Sequence, residues 1–174
     1  MQNCSIEKNE SLKITPSSTS SKDDFNFYEG NWTINNRRLK KRLCNSDDWV
    51  EFKANQEMKI IMLGFGNTDN FITNLDGKPF EGRTIRLFNP NTKLWSMYWT
   101  DSNNPILQPP TVGSFEGDIG KFYCKDTFDG QNIIVEFLWD KTDPKNPIWS
   151  QGFSNDKGKT WETNWYMYMK KTSP

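Results

Sequence analysis

Gly30-Asn31-Trp32 stands where a polar tail gives way to a long series of β-like segments. Upstream, residues 1–24 carry Ser, Thr, Lys, Asp and Glu with few large apolar groups. Such a stretch buries too little surface to offset its ordering entropy and reads as a flexible tail. Downstream come about nine β-like segments with almost no helical signal. A glycine at this junction lets the chain bend into a closed sheet, and an indole two residues on is large enough to plug one end of it. Residues 25–174 are then one β domain.

Candidate strands follow at hairpin spacing: 30–43, 48–60, 68–75, 82–88, 93–100, 111–116, 120–128, 131–140, 148–154 and 160–170. Over 48–60, Val50, Phe52, Ala54, Gln56 and Met58 share one face, and Glu51, Lys53, Asn55, Glu57 and Lys59 share the other. That is the period-two pattern of a half-buried strand. Asp76-Gly77, Asn89-Pro90-Asn91-Thr92 and Asp129-Gly130 are turn signals. The Asn- and Pro-rich stretch 101–110 reads as a loop at a barrel rim. Consecutive hairpins without crossover helices predict an all-β fold, an antiparallel up-and-down barrel of about 8–10 strands, because closure removes exposed edges. A β-sandwich is the alternative. The absence of a blade-length repeat excludes a propeller.

The 174 residues suit one domain with a sizeable core. Its 22 basic and 22 acidic residues cancel, so nothing draws the chain to nucleic acid or an anionic membrane. There is no histidine, which removes every mechanism that needs an imidazole. Cys4, Cys44 and Cys124 are an odd, widely spaced set with no Cys-x-x-Cys. Reduced thiols are the expectation, with a Cys44–Cys124 bridge as the alternative. No stretch approaches the ~18 apolar residues of a membrane span, and residues 1–24 lack the apolar core of a signal peptide. A cytoplasmic location is expected. An envelope lipoprotein tethered at Cys4 is the alternative, should the natural start lie upstream. No metal or cofactor is expected.

Three segments carry a resemblance. Phe27-Tyr28-Glu29-Gly30-Asn31-Trp32, Thr92-Lys93-Leu94-Trp95-Ser96 and Ser154-Asn155-Asp156-Lys157-Gly158-Lys159-Thr160-Trp161-Glu162-Thr163 resemble, in this order, the entry, a middle hairpin and the closing hairpin of lipocalin-like bacterial proteins of unknown function. The resemblance spans roughly 25–170. It implies a calycin-type barrel in which Trp32 closes the narrow end. Ser154 to Trp161 also fits the Asp-box pattern of sialidases. It occurs once here and reads as a hairpin staple, with Ser154, Asp156, Gly158, Thr160 and Trp161 as its parts.

Candidate site residues follow from strand phase. In the run Arg37-Arg38-Leu39-Lys40-Lys41-Arg42, Arg38 is in phase with Trp32, Ile34 and Asn36, the expected inner face. An inward Arg38 could hold a carboxylate or phosphate through its planar fork; the alternative is a solvated overhang. Asp126 shares a stripe with Phe122, Cys124 and Phe128. A carboxylate facing an apolar interior needs a partner, for which Arg38 and Arg86 are candidates. Glu136, between Ile134 and Leu138, poses the same question. Tyr98 could orient a polar ligand or act as an acid.

The leading expectation is a barrel that binds a small, largely apolar and perhaps anionic molecule, hydrophobic or amphipathic, with Trp32, Asn36, Arg38, Arg86, Tyr98 and Asp126 as contacts. One alternative is a cofactor-free isomerase, cyclase or lyase using Asp126 or Glu136 with Tyr98. The other is a structural or protein-interaction barrel with a filled core.

Overall fold

The computed structural model describes residues 3–6 and 11–172. Strands β1 (Asn3–Ile6) and β2 (Leu12–Thr15) form a separate two-stranded hairpin. Ten more strands form the barrel: β3 (Gly30–Leu39), β4 (Trp49–Ile61), β5 (Gly66–Leu75), β6 (Lys78–Asn89), β7 (Leu94–Asp101), β8 (Thr111–Glu116), β9 (Ile119–Phe128), β10 (Gln131–Asp140), β11 (Ile148–Ser154) and β12 (Glu162–Lys171). Each pairs antiparallel with its sequence neighbours, and β12 pairs with β3 to close the ring. No helix among the described residues is long and apolar enough to cross a membrane.

Local chemistry sets the register. Asp76 and Gly77 both take positive φ, 51° and 78°, so Leu75 faces Lys78 across a two-residue turn. Asp129 and Gly130 do the same, at 48° and 76°, between Phe128 and Gln131. Mirror-image turns of this kind match strand twist, and Asp-Gly tolerates the backbone they need. The first strand stops at Leu39 rather than 43. Leu43 and Asn45 turn left-handed, with φ of 57° and 55°, and Lys40 N–H closes the loop on Asp48 O at 3.0 Å.

Alternation places Trp32, Ile34 and Asn36 of β3 inside, with Ala54, Gln56 and Met58 of β4 beside them. Closure is uneven. β6 and β7 pair at eight positions, whereas β7 and β8 pair only at Trp95–Met97 with Thr111–Gly113.

Residues 11–24 of the polar tail make contacts with the barrel. The Ser17 N–H donates to Ser114 Oγ at 3.0 Å, and Asp24 accepts from the Ser21 N–H at 3.0 Å and Trp95 Nε1 at 3.3 Å. Burial raises the Asp24 pKa, its bonds to Ser21 and Trp95 opposing the rise. These polar side chains do not form a core of their own. They deliver Phe25, 1% exposed, into the floor, where it meets Trp95, Phe115 and Trp139 edge-on at 5.0–5.5 Å. The parts of the tail at 1–2 and 7–10 lie outside the described residues.

At the closing hairpin, Asp156 Oδ1 accepts from Ser154 Oγ at 2.8 Å and from the Lys159 and Thr160 N–H groups at 3.0 and 2.9 Å. Ser154 Oγ accepts in turn from the Gly158 N–H at 2.8 Å. Trp161, expected beneath the hairpin, keeps 36% of its surface exposed and leans towards Tyr123, 6.1 Å away. The Thr160 bonds, with the Ser154 hydroxyl, hold the Asp156 carboxyl at about 2, below its ordinary 3.8. A depressed carboxyl stabilises the fold above its unfolded pKa and loses that effect as pH falls through the folded one. The staple is therefore intact at pH 5 and released between about pH 4 and 2. Backbone amide shifts of Gly158 and Thr160 are expected to titrate together with a midpoint near 2; a midpoint near 3.8 would show that the carboxylate makes no such bonds in solution.

Candidate functional site

The strands enclose a cavity of about 600 Å³. Its walls are apolar, with Phe71, Phe80, Trp99, Phe137, Trp149 and Met167 among them. That combination of volume and lining is what small-molecule sites use. Two polar clusters interrupt it, one at each end.

The mouth cluster comes from the end of β3 and the loop after it. Arg38 lies in phase with the inner residues of β3, and the left-handed turn at Leu43 accompanies the return of Arg42 to the same wall. Arg38 rests on the rings of Phe52 and Trp165 at 5.5 and 5.3 Å. Arg42 rests on Phe153 and Phe128 at 5.4 and 5.9 Å. Neither has a carboxylate within ion-pair distance among the described residues. Burial lowers both guanidinium pKa values, opposed at Arg38 by the Asp76 carboxylate; the Arg38 charge lowers that of Arg42 further, opposed by Glu162. Both remain cations, as guanidinium does in proteins. Glu162 is already engaged, accepting the Leu43 N–H at 2.8 and 2.9 Å. The mouth therefore presents two half-buried positive charges.

The floor cluster is built differently. Arg86 is 4% exposed and Asp69 1%. Arg86 Nη1 donates to Asp69 Oδ2 and to Asn67 Oδ1, the latter at 2.9 Å. Phe25, Trp139 and Tyr28 surround the guanidinium, with ring centres 5.2, 5.6 and 5.8 Å away. Tyr28 donates its hydroxyl to Gln56 Oε1 at 2.6 Å. Burial, with Asp69 nearby, raises the Tyr28 pKa well above its ordinary value, so the phenol stays neutral. Tyr28, Gln56 and Arg86 all border the cavity.

The remaining sequence candidates are placed as follows. Trp32 closes the floor from below: its Nε1 donates to the Tyr28 carbonyl at 2.8 Å, and its ring lies 5.0 Å from Tyr28, which stands between it and the cavity. Asn36 is buried behind Trp165, whose Nε1 donates to its Oδ1 at 3.0 Å, and does not border the cavity. Asp126 is in phase with Phe122 and borders the cavity near the mouth end of β9, where it is exposed and accepts from its neighbour Thr127 N–H at 2.7 Å. It pairs with neither Arg38 nor Arg86; the partner of Arg86 is Asp69. Glu136 points out of the barrel and accepts from Tyr123 at 2.8 Å. The flanking Ile134, buried in spite of sharing its outward phase, made Glu136 look internal from sequence. Tyr98 alternates outward between Met97 and Trp99 and borders the cavity only where β7 and β8 part. Asp126 and Tyr98 thus both border the cavity, while Glu136 faces away from it. The cysteines are free thiols. Burial raises the Cys124 pKa, away from a nucleophilic thiolate.

Sequence reasoning missed Asp69 and Arg42. Asp69 is flanked in phase by Asn67 and Phe71, so a period-two reading could have found it. Arg42 lies beyond the strand, where alternation gives no guidance.

No protein-family model matches the chain, and no curated protein matches it by sequence. Solved structures do. The S-type phycobiliprotein lyase CPES of Guillardia theta superposes with a TM-score of 0.60 at 9% identity, covering 90% of this chain and 95% of that one. Rv2717c of M. tuberculosis superposes with a TM-score of 0.53 at 11% identity, covering 86% of this chain and 98% of that one. At these identities the likeness speaks for the fold alone, and together with ring closure it answers the question of architecture: the chain has a lipocalin-like, calycin-type barrel fold.

Proposed function

We propose that the barrel binds a small, mainly apolar molecule carrying an anionic group, with the apolar part in the cavity and the anion at Arg38 and Arg42. The observation that carries this is the pairing of an apolar cavity of about 600 Å³ with two half-buried guanidinium groups at its mouth that have no ion-pair partner among the described residues. Two like charges held on one wall repel each other, and an incoming carboxylate or phosphate relieves that repulsion. Stacking on Trp165 and Phe153 fixes the planar forks in place before a ligand arrives, which reduces the ordering cost of binding. A filled-core barrel does not leave such a volume. Acid–base catalysis by Asp126 or Glu136 with Tyr98 has less behind it, because Glu136 bonds Tyr123 outside the cavity and Asp126 bonds the Thr127 N–H.

Dodecanoate is a suitable probe. Calorimetry is expected to show one-to-one binding by the natural chain, and Arg38→Met to weaken it by about tenfold or more, the loss of one charge-assisted contact. Dodecan-1-ol, without the charge, is expected to bind about equally to both. Unchanged dodecanoate affinity in Arg38→Met, or no binding by the natural chain, would overturn the assignment.

A further inference from the structure

The two ends of the cavity differ in charge as well as position. The mouth carries two guanidinium groups with no carboxylate within ion-pair distance among the described residues, Asp76 and Glu162 acting on them only from further away. The floor carries one positive and one negative charge bound to each other, so it is neutral overall while rich in hydrogen-bonding groups. A neutral polar surface at the bottom of an apolar cup has a cost if its occupant is hydrocarbon, because groups able to hydrogen-bond are then desolvated without return.

The floor also holds more polar capacity than the described residues satisfy. Gln56 accepts the Tyr28 hydroxyl through its carbonyl oxygen, which leaves the amide NH2 as its donor. Arg86 bonds both Asn67 and Asp69 through Nη1. Arg86 Nε and Asp69 Oδ1 are buried and have no partner among the described residues. In a native interior such groups are few and each calls for an explanation. Donors from Gln56 and Arg86 at the cavity wall suit an acceptor oxygen. The charge of Asp69, already in place, removes the need for that oxygen to be anionic.

We infer that the barrel takes an elongated amphipath with two unlike polar ends, an anionic group at Arg38 and Arg42 and an uncharged oxygen, hydroxyl or carbonyl, at Gln56 and Arg86. This rests on the reading of the mouth proposed above. The span is compatible. Trp32 below the floor and Arg38 at the mouth lie six steps apart along β3, about 20 Å along the strand and about 15 Å along the barrel axis for a strand tilt of about 40°. That is the length scale of a medium-chain oxo- or hydroxy-acid.

The test compares dodecanoate with 12-hydroxydodecanoate by calorimetry on the natural chain. A hydroxyl carried into an apolar floor weakens binding, whereas a floor built to hydrogen-bond it strengthens binding, so the sign decides. The hydroxy-acid is expected to bind about tenfold more tightly. The double variant Tyr28→Phe/Gln56→Leu removes both members of a hydrogen bond together and so strands neither. It is expected to lose that preference while still binding dodecanoate. Equal or weaker binding of the hydroxy-acid by the natural chain, with dodecanoate still bound, would overturn the inference and leave the mouth reading standing. A preference that persists in the double variant would also overturn it, by placing the hydroxyl elsewhere. Failure of both acids to bind would overturn the mouth reading, and this inference with it.

Discussion

Arg86→Met is expected to lower the stability of the barrel by about 3–5 kcal/mol, read as a lower urea midpoint at unchanged slope. The guanidinium is 4% exposed and its ionic partner Asp69 1%. Met approximates the volume of the arginine stem, so the loss comes from charge rather than from a hole. Without Arg86, the Asp69 carboxylate remains buried with its Oδ2 contact gone and its Oδ1 already without a partner among the described residues. An uncompensated charge in such a place must take up a proton or admit water, and either costs stability. The surrounding rings of Phe25, Tyr28 and Trp139 also lose the cation they face. The double variant Arg86→Met/Asp69→Leu is expected to recover most of the loss, because a buried pair replaced as a unit by apolar groups often costs little. If the single variant unfolds at the natural midpoint, the pair contributes nothing to stability. If the double variant is no better than the single, the cost lies in packing and not in the stranded charge.

Trp32→Ala is expected to cost a comparable amount, about 3–5 kcal/mol, by a different route. The indole is 1% exposed. It supports Tyr28 from below at 5.0 Å and satisfies the Tyr28 carbonyl at 2.8 Å. Lys171 Nζ lies over it at 5.4 Å, from the last strand, so the indole also joins the two strands whose pairing closes the ring. Truncation leaves a cavity, an unsatisfied carbonyl and an unsupported Tyr28 in one place. Because Tyr28 stands between the indole and the cavity, the loss is expected to reach the floor as well. Trp32→Phe keeps most of the volume but not the donor, and is expected to fall between the natural chain and Trp32→Ala. A Trp32→Ala midpoint within experimental error of the natural one would mean that the floor is supported by the Phe25 cluster alone.

Much of the architecture was legible because it depends on local rules. Asp76-Gly77 and Asp129-Gly130 specify hairpins whatever surrounds them. The β4 alternation from Val50 to Met58 gives the inner face, and Arg38, in phase with Trp32 and Ile34, borders the cavity. Depth was not legible. Asp126 has an inward phase, yet it lies two residues from the mouth end of β9 and reaches solvent. Coverage of the outer surface was not legible either. Glu136 shares its outward phase with the buried Ile134, and Tyr123, on the same outer face, is 8% exposed. Contacts of the polar tail were not legible either, because composition measures only what a segment can bury by itself. Residues 11–24 are held by a core that already exists, through bonds such as Ser17 to Ser114 that span most of the chain. Asp69 and Arg86 needed a pairing across two strands, and a single strand's period does not show that.

The uneven closure of the ring has a consequence for time. Eight paired positions fasten β6 to β7, and three fasten β7 to β8. A circle opens where it is fastened least, and a local opening takes less free energy than the loss of the whole fold. Beside this short seam the cavity is bordered by Tyr98, Gln108 and Thr111, so parting it by a few ångströms exposes the interior from the side. A side exit from the cavity, distinct from the mouth, is then held shut by three rungs of one ladder, while the endurance of the barrel rests on the floor. Side access and durability become separate properties of one chain, each open to change without the other.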